Sequence, residues 1–238
     1  MESTTDTALS DWFEGPLGAR VLREEAALAT LALDTVFGFE LLQVGAWGPA
    51  RHLLTGARTQ HTTLLAPELT TDVTLCAPLD TLPFRSDSID AILLPHTLEL
   101  VEDPYAVLRE AERVLTGEGC LMICGFNPFS GWGARRVFNE YFGRPAFPPQ
   151  TQRMLSERRL RDWVALLGFD VDSVHGYLGF LPLTGGPSEV RPRRALTAGA
   201  YLLKARKRVS TLTLIRPRRR VRQRVLVGAA EPTNKVRQ

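Results

Sequence analysis

The chain has 238 residues, of which 44% are hydrophobic and 23% charged, an ordinary composition for a soluble globular protein with one sizeable core. No uninterrupted apolar run approaches the roughly 20 residues of a membrane-spanning helix, and the acidic, Ser/Thr-rich start lacks the basic-then-apolar build of a signal peptide. The three cysteines form no CxxC pair and the four histidines have no ligand spacing, so we expect no metal site, no membrane insertion and a cytoplasmic location.

The formal net charge of +3 conceals an uneven distribution. Residues 1–190 carry 14 Lys and Arg against 25 Asp and Glu, whereas residues 191–238 carry 15 against a single acid. A block of like charge usually stays disordered and solvated, and it can also touch phosphates or other anionic surfaces. We therefore assign an N-terminal segment at 1–19, one domain at 20–215 and a basic, disordered tail at 216–238.

The first predicted elements precede residue 77. Ala and Leu recur at helical spacing over 20–36, which predicts a helix. The apolar run at 41–44 predicts a buried strand that ends in a turn at Gly45. Further strands are expected at 62–65 and 72–76, with the start of a helix at 49–54 between the first two strands.

The clearest local signal is a strand, helix and strand over 85–124. Residues 89–94 form an apolar run of strand length, and Asp103 with Pro104 is typical of the cap and the first position of a helix. Gly117 predicts a left-handed cap where that helix ends, before a second buried strand at 121–124. Strands that alternate with helices in this way predict a doubly wound, mostly parallel α/β sheet.

The remainder of the domain begins with an aromatic insertion at 126–155. We expect this insertion either to cover a site as a lid or to pack as a satellite core over the sheet edge. Ser156 predicts the cap of another helix, and the alternating residues 169–177 predict a strand. A last strand at 200–205 is expected to pair antiparallel with it, which gives about seven strands in total; 212–215 form one more apolar patch.

Short motifs in a fixed order link these predicted elements. They are Leu82-Pro83-Phe84, Ser88-Ile89-Asp90, Thr97-Leu98-Glu99, Asp103-Pro104, Leu108-Arg109-Glu110, Arg113-Val114-Leu115 and Gly117-x-Gly119. In this order they resemble the type 11 methyltransferase domain of the class I S-adenosylmethionine-dependent methyltransferases. The resemblance implies a Rossmann-like sheet of seven strands with an antiparallel last strand, S-adenosyl-L-methionine as the cofactor and a small-molecule acceptor.

The resemblance also implies a site, since ligands of open α/β sheets bind beyond the carboxyl ends of the strands. It assigns the methionine part of the cofactor to the turn after the first strand, with Gln43, Gly45, Ala46 and Trp47. It assigns the ribose to Glu68, the adenine to Leu79 and Asp80, and the sulfonium side to Pro95 and His96. His96 is the candidate general base, with Glu99 and Asn127 as orienting or substrate-contacting groups.

The glycine-rich first motif of the family is degenerate in this chain. The family has an acid followed by G-x-G-x-G, whereas the sequence here is Gln43-Val44-Gly45-Ala46-Trp47-Gly48-Pro49. A catalytically degenerate domain that binds a partner is therefore an alternative to an active enzyme with a partly apolar small acceptor. An open pocket beside Pro95 and His96 would favour the enzyme, and a Trp47 ring that fills this space would favour the binding domain.

The sequence gives less support to two other functions. An RNA methyltransferase could use the basic tail as an electrostatic anchor, although no accessory RNA-binding motif is visible. A nicotinamide-dependent dehydrogenase is disfavoured, because G-x-G-x-x-G does not follow the first strand.

Overall fold

A computed structural model of the chain describes residues 11–49, 51–68, 73–149, 151–182 and 198–209. In chain order the elements are α1 (Pro16–Leu33), β1 (Glu40–Val44), β2 (His61–Ala66), β3 (Leu75–Cys76), β4 (Ile89–Pro95), α2 (Thr97–Leu100), α3 (Pro104–Val114), β5 (Leu115–Phe126), α4 (Gly131–Tyr141), α5 (Glu157–Leu166), β6 (Phe169–Tyr177) and β7 (Ala200–Lys207). The predicted tail at 216–238 and the apolar patch at 212–215 lie outside the described residues. None of the helices described here is both long and apolar enough to cross a membrane.

The seven strands form one sheet in the order β3-β2-β1-β4-β5-β7-β6. Neighbouring strands from β3 to β5 are parallel, and β7 runs antiparallel to both β5 and β6. The predicted α/β fold with an antiparallel last strand is confirmed. Because the strand order reverses between β1 and β4, the carboxyl ends of these two strands flank the crevice in which such sheets bind ligands.

Both faces of the sheet are buried under helices. Helix α1 packs with Leu41 and Leu93 on one face, whereas α3 and α5 pack with Leu42 and Ile92 on the other. Successive side chains of a strand point to opposite faces, so each central strand contributes to both cores. This two-sided burial explains why the predicted strands were continuous apolar runs.

Two predicted caps explain where helices begin. Asp103 Oδ1 accepts hydrogen bonds from the backbone N–H groups of Tyr105 and Ala106 at the start of α3. Ser156 Oγ accepts one from the backbone N–H of Arg159 at the start of α5. Both side chains satisfy donors that the first turn of a helix leaves without a partner.

Three local predictions need correction. The left-handed cap at Gly117 is wrong, because β5 begins directly after α3 and the positive φ belongs to Glu118. Residues 51–56 form turns instead of the start of a helix. Helix α1 runs from Pro16 to Leu33 where a helix was predicted over 20–36, and a proline is well tolerated in its first turn.

Helix α1 is tied to the last two strands of the chain. Lys204 Nζ of β7 donates to Ala32 O at 2.7 Å and to Thr35 Oγ1 at 2.6 Å. The backbone N–H of Leu178, just after β6, donates to Glu24 Oε2 at 2.9 Å. These bonds satisfy a carbonyl at the end of α1 and hold the helix over the sheet beside the carboxyl end of β4.

Candidate functional site

The predicted cofactor residues form two groups that differ in exposure. Glu68 and Asp80 are exposed, and Ala46 and Leu79 are half-buried. We call these four residues the outer group. It follows the ends of β1, β2 and β3, so it lies on the edge of the sheet at which open α/β sheets bind ligands. The predicted ribose and adenine contacts are therefore accessible to a ligand.

The inner group consists of Gln43, Gly45, Trp47, Pro95 and His96, and all five residues are buried. It follows the ends of the two central strands, β1 and β4, which pair in parallel. The predicted methionine and sulfonium contacts thus lie together, but beneath the surface. The two groups separate the predicted site into an open part and a closed part.

Gly45 has a structural reason to be glycine. Its φ is +94°, and a Cβ atom at this position would lie 2.7 Å from Thr97 Oγ1. Thr97 Oγ1 donates a hydrogen bond to Val44 O. The turn after β1 is therefore held against the start of α2.

The Trp47 ring fills the space beside His96. Its side chain is 1% exposed. The ring centre lies 5.0 Å from that of His96, 5.2 Å from that of Phe13 and 6.2 Å from that of Phe126. A filled space at this point is the arrangement expected of the partner-binding alternative.

One acceptor of the inner group nevertheless lacks a partner within the described residues. Gln43 Nε2 donates to Gly45 O at 3.0 Å, whereas Gln43 Oε1 is buried without a hydrogen-bond partner among the described residues. A buried orphan acceptor is costly, and it suits an ammonium group such as that of the cofactor's methionine part. The outer group is open to a ligand as it stands, whereas the Trp47 ring fills the space within the inner group. The assignment of the cofactor to these residues stays a prediction.

His96 lies at the centre of a buried polar cluster at the end of β4. His96 Nδ1 is 2.7 Å from Glu99 Oε2, and His96 Nε2 is 3.2 Å from Tyr177 Oη and 3.6 Å from Glu25 Oε1. The Phe126 ring stacks on the imidazole with ring centres 4.2 Å apart. His96 also has a φ of +53°, a left-handed conformation that is uncommon for a non-glycine residue and recurs at functional sites.

Burial drives this cluster towards its neutral forms. It lowers the pKa of His96 to about 4, although the nearby Glu25 acts in the opposite direction. Burial raises the pKa of Glu25, and it raises the pKa of Glu99 well above its usual range despite a hydrogen bond from the Phe126 N–H. Such shifts are common at functional sites. The buried imidazole is neutral at pH 7, and its role as a general base stays a prediction that requires the ring to become accessible.

The two predicted accessory residues hold the backbone at the end of β5. Glu99 Oε1 accepts a hydrogen bond from the Phe126 N–H at 2.9 Å. Asn127 Nδ2 donates to Ala198 O at 3.0 Å, and Asn127 Oδ1 accepts from the Phe129 N–H at 3.0 Å. In this arrangement both side chains position the chain as it leaves the sheet.

The aromatic insertion packs onto the cluster as one stack. The Phe126 ring, which lies on His96, stacks on Trp132 at 5.3 Å, and Trp132 stacks on Phe147 at 5.5 Å. These three rings are buried and belong to the core. The solvent-facing side of α4 carries further apolar residues, so the insertion combines a core with an exposed apolar surface.

Sequence reasoning missed Glu25 and Tyr177. Glu25 occupies a core position of α1, because the buried residues Val21, Leu28 and Ala29 share its face. A carboxylate at an apolar position of a periodic helix is a signal that could have identified it. Tyr177 gave no comparable signal, because the alternation of β6 indicates which face it lies on but not its partner.

The sequence comparisons match the segment that includes His96 and most of the outer group. Residues 48–123 match the family model of a methyltransferase domain. The uncharacterized protein YafS of Escherichia coli (strain K12) is 36% identical over 139 residues, which are 57% of this chain and 55% of that protein. Demethylmenaquinone methyltransferase of Mycolicibacterium paratuberculosis is 32% identical over 128 residues, which are 54% of this chain and 51% of that protein. The chain thus spans about half the length of the curated relatives it matches.

The fold comparison extends over more of the chain. The structure of a Thermotoga maritima S-adenosylmethionine-dependent methyltransferase covers 83% of this chain with 94% of its own length, at a TM-score of 0.61 and 18% identity. At this identity the likeness concerns the fold. It agrees with the seven-stranded order and with the domain match over 48–123. Residues 48–123 therefore match a methyltransferase domain, and the sheet that contains them has the fold of the class I S-adenosylmethionine-dependent methyltransferases.

Proposed function

We propose that this chain transfers a methyl group from S-adenosyl-L-methionine to a small, partly apolar acceptor. The observation that carries the proposal is the methyltransferase-domain match over 48–123 in a chain whose sheet has all seven strands of the fold. The matched segment includes the ends of β2 and β4, which lie on either side of β1 at the ligand-binding edge of the sheet. The Mycolicibacterium relative is a demethylmenaquinone methyltransferase, and the aromatic insertion offers an apolar wall for an acceptor.

The two residue groups suggest how the cofactor would be held. Glu68, Leu79 and Asp80 would contact the adenosine part, whereas Gln43 and the backbone at Gly45 would contact the methionine part. The cofactor supplies an activated methyl group, so the protein has to orient the acceptor and exclude water. A general base is needed only for an acceptor that must lose a proton, and His96 is our candidate for that role.

Trp47 determines whether the inner group is available. Its ring lies against those of His96 and Phe126, and Phe13 packs against it from the segment before α1. Binding of the methionine part therefore requires this ring to leave its pocket. The movement of the ring raises the apparent Kd, as in any protein whose binding-competent state is the minor one.

The test compares the melting temperature of the full chain with S-adenosyl-L-methionine, S-adenosyl-L-homocysteine, NAD and no ligand. A ligand at a hundred times its Kd stabilises the native state by about 2.7 kcal/mol, which is about 5–11 °C for a domain of this size. We expect both S-adenosyl compounds to stabilise the protein and NAD to have no effect. The absence of any shift at millimolar S-adenosyl compounds would refute the proposal.

A matched pair of variants localises this binding. Glu68→Gln removes a charged acceptor from the outer group and should weaken S-adenosyl-L-methionine binding about tenfold, since hydrogen bonds to charged groups contribute about 1.5–3 kcal/mol. Glu102→Gln changes an exposed glutamate before α3 and should leave the Kd unchanged. Equal affinity in both variants would remove Glu68 from the site.

The second candidate is a domain that has lost the chemistry and binds a partner, and the position of Trp47 favours it. A ring that is 1% exposed beside His96 leaves the inner group filled. This candidate predicts that neither the wild type nor a variant without the Trp47 ring binds S-adenosyl-L-methionine. The methyltransferase proposal predicts binding by both proteins, and tighter binding by the variant.

A further inference from the structure

Helix α4 presents its apolar stripe to solvent. Val137 is 65% exposed, Tyr141 83% and Phe142 57%, and Phe138 lies between them in the same stripe. Residues spaced by three and four positions share one face of a helix, and in a globular protein such a stripe normally faces the core. The opposite side of α4 is the one that packs on the protein, through the buried Trp132.

Neighbouring segments extend this stripe into a continuous surface. We define the outer aromatic face as the exposed residues Phe129, Val137, Phe138, Tyr141, Phe142, Phe180 and Leu181. They line an open groove of about 770 Å³. Apolar residues scattered singly over a surface are normal, whereas a contiguous apolar face marks an interaction site.

The charges around the outer aromatic face are predominantly basic. Residues 128–149 contain three arginines and one glutamate. Arg135 borders the stripe with its guanidinium 4.0 Å from the centre of the Phe147 ring, and Arg144 lies 5.4 Å from that of Phe138. Helical spacing places Glu140, the single acid, on the side of α4 away from the stripe, together with Arg136, which donates to Thr151 O and Gln152 O. The face therefore combines apolar area with a positive border.

We propose that the outer aromatic face docks on an anionic phospholipid surface. Aromatic residues with flanking arginines are the composition of helices that lie in the plane of a membrane interface, where rings enter the acyl boundary and cations meet anionic headgroups. A second copy of the chain fits less well, because a symmetric contact would bring Arg135 and Arg144 of one copy towards those of the other, and like charges oppose association. The proposal does not depend on methyl transfer.

Co-sedimentation of the full chain with lipid vesicles tests this docking. We expect binding to vesicles of phosphatidylcholine and phosphatidylglycerol in equal parts, and weaker binding to phosphatidylcholine alone. Replacing two rings of the face, Phe138→Ser with Tyr141→Ser, should weaken binding by about tenfold or more, because these rings supply much of the apolar area that would leave water. Leu166→Ser removes an apolar side chain that is 77% exposed on α5, and it should bind as the wild type does.

The controls separate this inference from its alternatives. Melting temperatures establish that the variants are folded, and Tyr141→Ser alone replaces the double variant if that variant does not fold, since Tyr141 is 83% exposed. Vesicle binding that is undiminished in the ring variant would overturn the proposal, because the attraction would then come from elsewhere in the chain. Failure of the wild type to bind vesicles, with self-association at high protein concentration, would overturn it in favour of an interface between copies.

Discussion

Replacing Trp47 by alanine separates the two functions that the site permits. The ring lies against His96, Phe13 and Phe126, and it occupies the position in which we expect the methionine part of the cofactor. Trp47→Ala empties this position and leaves the side chains of Gln43 and His96 in place. If the chain binds S-adenosyl-L-methionine, the variant should be less stable than the wild type but should bind the cofactor more tightly.

The magnitude follows from two opposing contributions. Truncation of a buried tryptophan to alanine usually destabilises a protein by about 3–5 kcal/mol. Trp47 Nε1, however, is buried without a hydrogen-bond partner in the described part of the chain. Removing such a donor also removes its desolvation cost of about 1–3 kcal/mol, which offsets part of the loss. We therefore expect a net loss of about 2 kcal/mol, or about 4–8 °C in melting temperature.

The same energy sets the expected gain in affinity. If wild-type binding requires the ring to leave a pocket that stabilises it by about 2 kcal/mol, the wild-type Kd is raised by about 30-fold. Isothermal titration calorimetry of both proteins with S-adenosyl-L-methionine measures this ratio directly. We expect the Kd of Trp47→Ala to be about 30-fold lower than that of the wild type.

Trp132→Ala is the matched control for this experiment. Trp132 is equally buried at 1% and stacks on the same Phe126, but its Nε1 donates to Gly179 O at 3.1 Å. It should lose at least as much stability and leave the cofactor Kd unchanged. A folded Trp47→Ala variant that binds no more tightly than the wild type would refute the assignment of this space to the cofactor.

Three further predictions concern the buried cluster, a helix cap and the tail. Burial raises the pKa of Glu25, so the folded state retains a proton that the unfolded chain releases above pH 4.5, and the wild type loses stability as the pH rises from there. Glu25→Gln should therefore raise the melting temperature more at pH 8 than at pH 5. An equal change at both pH values would contradict this. Asp103→Ala should cost about 1 kcal/mol in urea unfolding, because two N–H groups of α3 lose their acceptor, whereas the exposed Asp162→Ala should change stability by under about 0.5 kcal/mol. Truncation after Ile215 should leave methyl transfer to a small acceptor unchanged, and a loss of activity would argue for the tail as a substrate anchor.

Local signals were sufficient to predict most of the fold. The apolar run at 89–94, the cap at Asp103 and the alternation over 169–177 each depend on neighbours in sequence, and each element forms where it was expected. The cap at Gly117 failed because the tertiary structure turned the chain into β5 without a left-handed glycine. The start of a helix expected at 49–54 failed for a similar reason, since α1 packs against Gly48 and the turns that follow.

The candidate site was less accessible to prediction, because it depends on contacts between distant elements. The sequence placed His96 at the end of β4, which is its position. The polar neighbours of His96 are Glu25 of α1 and Tyr177, the last residue of β6. Both are brought to it by the packing of distant elements. The sequence shows that Trp47 departs from the family motif, but it does not show that the ring packs inward against Phe13, which precedes α1.

The bonds between α1 and the last two strands constrain the order in which the chain can fold. Within the described residues β6 pairs with β7 alone, and β7 lies between β5 and β6 in the sheet. A nascent chain that ends before residue 200 can therefore assemble the parallel part of the sheet but has no strand on which β6 can pair. Lys204 reaches Ala32 across 172 positions, so α1 is also not fully anchored until β7 has been synthesised. Contacts of such long range slow folding, and they delay completion of the cluster around His96 until nearly the whole domain is present.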